Sequence, residues 1–187
     1  LYGIVFNVAN KPACLYLWCA FATVNYLQQL LKSIYSQDRP FWVSDDIHSD
    51  KCLLGYGNPS GHMVDNTFVW VSLYLHFYYD VGVQRKRMSV FCTAYIIKMA
   101  LSVALTIYLF LMAVSRVYLG AHSWNQVLFG FTWGVAFALI GHYQIKRYFY
   151  DFWDSCIQDG RYRTPWQELV KMLALVIVLS FLSLTIM

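Results

Sequence analysis

The chain has 187 residues, of which 13% are Asp, Glu, Lys or Arg, against roughly 25% in soluble domains. With 59% hydrophobic and 19% aromatic residues, a soluble fold of this length would lack the polar side chains to cover its core, and the same composition excludes a disordered chain. A formal charge of +4 without a long basic block predicts no nucleic-acid partner. What remains is an all-α, polytopic integral membrane protein in contact with membrane lipids.

A membrane-crossing helix needs about 20 mostly apolar residues. Five stretches approach that length in chain order: residues 13–31, 63–79, 91–114, 124–143 and 169–187. The segments between them, 32–62, 80–90, 115–123 and 144–168, carry the polar and turn-forming residues and read as loops. This predicts one membrane domain over residues 1–187, with a core at 13–143 and an additional helix at 169–187. Lys11, Arg85, Lys86, Arg87, Lys146, Arg147, Arg161 and Arg163 then share one face, and Lys32, Arg39, Lys51 and Arg116 the other. The richer face is the cytoplasmic one by the positive-inside bias, or its matrix or stromal equivalent.

Few residues outside the poorer face suggest chemistry. The cysteines Cys14, Cys19, Cys52, Cys92 and Cys156 are scattered, with no pair at metal-ligand spacing, so neither a disulfide framework nor a metal site is expected. His48 lies among acids in a polar stretch and reads as solvated, while His76 and His142 lie near the cytoplasmic ends of their stretches and read as interfacial or packing residues. The poorer face, in contrast, collects Lys32, Arg39, Arg116, His62 and His122. Three cations and two imidazoles at one membrane face can neutralise a tetrahedral oxyanion and supply a nucleophile and an acid.

Their spacing is specific. Lys32 is followed after six intervening residues by Arg39-Pro40; Pro59-Ser60-Gly61-His62 comes next; five residues separate Ser115-Arg116 from His122, and three separate His122 from Gln126. This resembles the three-part signature of the type 2 phosphatidic acid phosphatase superfamily, K-x6-RP, PSGH and SR-x5-H-x3-D, in order and with gaps long enough for the intervening spans. The wording of residues 39–42, 55–62 and 115–122, with Gln at 126, is similar to the glucose-6-phosphatase-like branch.

The resemblance implies a metal-independent phosphatase needing no cofactor. His122 is the implied nucleophile and His62 the acid and later base. Lys32, Arg39 and Arg116 bind the phosphoryl oxygens, with Ser60 and Gly61 at a helix N-terminus. The substrate class is a phosphomonoester or diphosphate: a lipid phosphate, an isoprenoid diphosphate or a sugar phosphate. The implied location is the endoplasmic reticulum or another organelle membrane, the mitochondrial inner membrane included, with the site on the non-cytoplasmic side. Two departures support a different reading, an inactive relative serving as a subunit of a larger membrane assembly. Gln126 stands where the family has an Asp that orients the nucleophilic imidazole, and only 31 residues precede Lys32, where relatives usually carry further spans.

Overall fold

The computed structural model describes residues 11–47, 54–76 and 91–158, together with 170–171, 174, 177–179 and 181–182. Every regular element among the described residues is helical: α1 (Lys11–Tyr35), the single turn α2 (Pro40–Val43), α3 (Gly61–Leu75), α4 (Phe91–Tyr118), α5 (Trp124–Ile140), a π-helical turn (Gly141–Ile145) and α6 (Lys146–Gln158). Four of the five apolar stretches fall on α1, α3, α4 and α5. Residues 77–79 of the second and most of the fifth lie outside the described residues.

The connections differ from the expected loops. Lys32 belongs to the last turn of α1, α4 continues through Arg116 to Tyr118, and the expected loop at 144–168 is helical as far as Gln158. Charged residues alone do not end a helix; they need only a solvated face. In α6, Phe149 turns inward to meet the Tyr16 ring edge-on at 5.5 Å, while Arg147 and Asp151 face outward as an exposed pair.

Helix α3 is central, packing on α1, α4 and above all α5. The α3–α5 crossing is close because α5 presents small residues at every fourth position. A Cβ on Gly130 would stand 2.7 Å from the Ser60 carbonyl oxygen, and one on Gly134 would stand 2.6 Å from Thr67 Cβ. This is the small-residue spacing that lets helices approach closely. Val24, Val64, Phe68 and Ala138 fill the seam of α1, α3 and α5, and Met63, Leu109, Ala113 and Val127 the seam of α3, α4 and α5.

Two described runs, Ile96–Tyr118 and Trp124–Asp154, are long and apolar enough to cross a membrane, where the sequence predicted five. The first displays Ile97, Leu101, Ile107, Phe110 and Leu111 outward, each more than half exposed. So continuous an apolar surface calls for lipid or a partner to cover it.

Candidate functional site

The three motif segments meet at one end of the bundle, where α1 and α4 finish and α3 and α5 begin. Ser123 starts α5 with a capping box: its hydroxyl accepts the Gln126 backbone N–H at 3.5 Å, and Gln126 Oε1 accepts the Ser123 N–H at 3.2 Å. The turn before it, eased by Gly120 at φ 64°, brings His122 beneath the segment around Gly57.

Arg39 joins the segments. It is 4% exposed; its Nε donates to the Gly55 carbonyl at 2.8 Å and its Nη1 to the Ala121 carbonyl at 3.1 Å. The same Nη1 lies 3.4 Å from His122 Nε2. On the other side of the ring, His122 Nδ1 lies 2.9 Å from the Gly57 carbonyl oxygen. A carbonyl can only accept and a guanidinium can only donate, so the partners assign the tautomer. Nδ1 carries the proton, and the Nε2 lone pair faces Arg39.

Burial, followed by the positive charge of Arg39, lowers the His122 pKa to about 4. The hydrogen bond to Gly57 opposes this, Lys32 adds to it, and the Gln126 side chain opposes it least of all. The imidazole is therefore neutral at pH 7. Burial also lowers the pKa of Arg39, which stays charged because a guanidinium does not titrate in the working range.

Lys32 comes to the same place from α1: its Nζ is 3.5 Å from where a Cβ on Gly61 would stand. Asp65, one turn along α3 from Gly61, is near enough for its charge to act on Lys32. Ser60 is the N-cap of α3. Its backbone N–H donates to the Gln126 carbonyl at 3.0 Å, and its hydroxyl is buried without a hydrogen-bond partner among the described residues.

Two of the remaining motif residues are more open and the third is buried. His62 is exposed in the first turn of α3, and its carbonyl accepts from Asn66 at 2.7 Å. Arg116 is half-buried, its guanidinium donating to Ser115 Oγ at 3.1 and 3.3 Å. Gln126 is 1% exposed, and its Nε2 donates to the Asp38 carbonyl at 2.7 Å. The strong bond that orients His122 thus comes from a backbone carbonyl, with Gln126 contributing weakly.

Sequence reasoning did not single out Gly57. A Cβ there would stand within 2.6 to 2.8 Å of the Gln126 amide, so only glycine lets the loop lie against Gln126 while its carbonyl reaches His122. A glycine two residues before Pro59 was the available signal. Among the described residues no three His, Cys, Asp or Glu side chains gather as a metal site would require; His48 lies outside them.

A buried neutral imidazole, its lone pair facing a fixed guanidinium at the end of a helical bundle, defines a site suited to nucleophilic attack on an anion. The chain belongs to the PAP2 superfamily, whose family model matches residues 13–150; members of that superfamily are usually phosphatases. No curated protein and no solved structure matches the chain.

Proposed function

We propose that this protein is a membrane-bound phosphatase that hydrolyses a phosphomonoester or diphosphate through a phosphohistidine. The observation that carries the reading is the fixed polarity of His122, with Nδ1–H held by Gly57 and Nε2 facing Arg39. A substrate phosphate takes over the Arg39 Nη1–H and places phosphorus before the freed lone pair. Nε2 attacks, an N–P bond forms, and the bond from phosphorus to the leaving oxygen breaks as His62 donates a proton to it. His62 then takes a proton from water, which attacks the phosphohistidine and restores neutral His122. Lys32, Arg39 and Arg116 hold the equatorial oxygens, with the free Ser60 hydroxyl as a further donor and Gly61 opening the N-terminus of α3 to the anion.

The outward apolar faces and the Lys/Arg distribution support a helical bundle across an organelle membrane, with this site on the non-cytoplasmic side. The motif wording supports a relationship to the glucose-6-phosphatase-like branch. Lipid phosphates, isoprenoid diphosphates and sugar phosphates are the substrates to assay. Wild type incubated with a ³²P-labelled ester should retain an acid-labile phosphohistidine, whereas His122→Ala should retain none and turn over nothing; full activity in the variant overturns the mechanism.

One observation favours the second reading, a structural subunit of a larger membrane assembly: the Gln126 amide is engaged by Ser123 and Asp38 and gives His122 no carboxylate. Under that reading neither label nor turnover is found in wild type, and the chain purifies with fixed partners.

A further inference from the structure

The opposite end of the bundle has its own convergence of polar groups. Helix α3 runs 15 residues from Gly61 to Leu75, so its far end is about 22 Å from the His122 site at the 1.5 Å rise of an α-helix. There Tyr16 of α1, Ser72 and His76 at the end of α3, His142 of the π turn and Lys146 at the start of α6 line a small crevice between the helices, together with Ala13 and Leu17. Every polar side chain lining it can donate a hydrogen bond, and none is a carboxylate. Lys146 Nζ donates to His76 Nδ1 at 3.3 Å, which leaves the His76 proton on Nε2. The ammonium also lies 5.8 Å from the centre of the Tyr150 ring, so its position is fixed from two sides. The π turn sets this register: Lys146 N–H bonds to Gly141 O rather than one residue closer. Gly141 allows the close approach, since a Cβ there would stand 2.8 Å from the Tyr16 hydroxyl oxygen.

We propose that this crevice is a second anion site, which binds a phosphate group, either the headgroup of an anionic lipid in the adjoining leaflet or free phosphate. An interfacial lysine alone needs only to reach headgroups. Here five donor side chains from four separate segments line one crevice. That set matches a doubly charged tetrahedral group better than a carboxylate. The crevice has room for about one water-sized group, so a single phosphate oxygen enters between the helices while the rest of the headgroup stays on the open side. The membrane setting rests on the reading given above, under which this end faces the cytoplasmic leaflet. Basic pockets between helices on that side are where phosphorylated headgroups are recognised.

The probe is a non-hydrolysable phosphonate analogue of phosphatidic acid with a photoreactive group beside the headgroup, in phosphatidylcholine nanodiscs containing the full chain. Labelling, mapped by peptide mass spectrometry, should fall on the peptides carrying Tyr16, Ser72 or His142. Lys146→Gln combined with His142→Gln should reduce it by about tenfold or more, the scale of losing charge-assisted hydrogen bonds, while Lys146→Arg should retain it and shows that the fold tolerates change at this position. Millimolar inorganic phosphate that removes the label identifies free phosphate as the ligand; persistence of the label identifies the lipid. Labelling that is absent from these peptides, or that disappears in Arg39→Gln, overturns the second site. The readout needs no turnover, so an inactive phosphatase with a labelled crevice, and an active one without, are told apart.

Discussion

The two histidines of the candidate site occupy opposite environments, and so do its two arginines. His122 and Arg39 are each 4% exposed and held by backbone carbonyls of Gly57, Gly55 and Ala121. His62 is exposed and Arg116 half-buried, each in the terminal turn of its helix. A nucleophile gains from being fixed and kept neutral, because the geometry of attack is then set before substrate arrives. A group that protonates many possible leaving oxygens gains from standing where the leaving group departs. The sequence motifs present both pairs alike; burial separates a rigid half of the site from an adaptable half.

Substitution of the arginines tests that separation most severely. Arg39→Gln should lower kcat/KM by about 10³ or more, the upper range for loss of one transition-state donor. It should also lower stability by about 1–3 kcal/mol, because the buried Ala121 carbonyl and the half-buried Gly55 carbonyl lose their partner. Arg116→Gln, which frees only a neighbouring hydroxyl, should lower kcat/KM by about 10²-fold or less, the smaller end of the same range, with an unchanged Tm. Equal effects on both rate and Tm would erase the distinction between the two halves.

The histidines should separate by chemical step. His62→Gln should lower turnover of an alkyl phosphate by about 10²-fold, the scale of lost acid–base assistance, yet still form phosphohistidine from p-nitrophenyl phosphate, whose leaving group needs no proton. A label on the variant that persists longer than on wild type, measured by rapid quench, would show that His62 acts on both the leaving group and the water. Loss of the label with this activated substrate would place His62 in the nucleophilic half instead.

Gly57→Ala probes the support of the rigid half without touching a reacting group. The added methyl overlaps the Gln126 amide, so a loss of about 1–3 kcal/mol is expected, as for other overpacked cores. The displaced carbonyl should lower kcat while leaving KM nearly unchanged. An unaltered kcat in a folded variant would mean that the Gly57 carbonyl does not orient His122.

What could be read from the sequence follows the same division. The apolar stretches announced α1, α3, α4 and α5 because each is long and bounded by polar residues, and the motif spacing pointed to Arg39 and His122, whose side chains lie 3.4 Å apart. Backbone contributions were not legible. Nothing in the residue types of Gly55, Gly57 and Ala121 shows that their carbonyls hold Arg39 and His122, since that depends on loop conformation. Helix α6 was also hidden, because Lys146, Arg147 and Asp151 make its sequence look like a connection until Phe149 is seen against Tyr16. Gln126 was legible as a departure from the family's Asp, but not as a residue anchored to Asp38, 88 positions away in sequence.

Gln126 gives the finest test of the rigid half, through the titration of His122. With a folded-state pKa of about 4, below the ordinary value near 6.5, His122 stays neutral in the folded chain at pH values where the unfolded chain has already taken up a proton. Its contribution to stability is therefore full above about pH 6.5, declines as pH falls towards 4, and changes no further below that. Under the proposed mechanism, the nucleophile likewise remains available across that window. Gln126→Glu places a carboxylate where burial is almost complete, and should raise the His122 pKa by stabilising imidazolium. It also faces an acceptor at the Asp38 carbonyl where Gln126 has a donor, so the variant should be less stable as well. Gln126→Leu should separate the two effects, because the Gln126 side chain is the smallest of the influences on His122. It should destabilise by about 1–3 kcal/mol, since the Asp38 carbonyl and Ser123 N–H lose their partner, yet leave the titration close to that of wild type. ¹⁵N chemical shifts of His122 followed against pH give the midpoint directly. A midpoint near 6.5 in wild type would contradict the burial of the ring against Arg39, and a midpoint unmoved in Gln126→Glu would mean that residue 126 serves only to anchor Asp38 and cap α5.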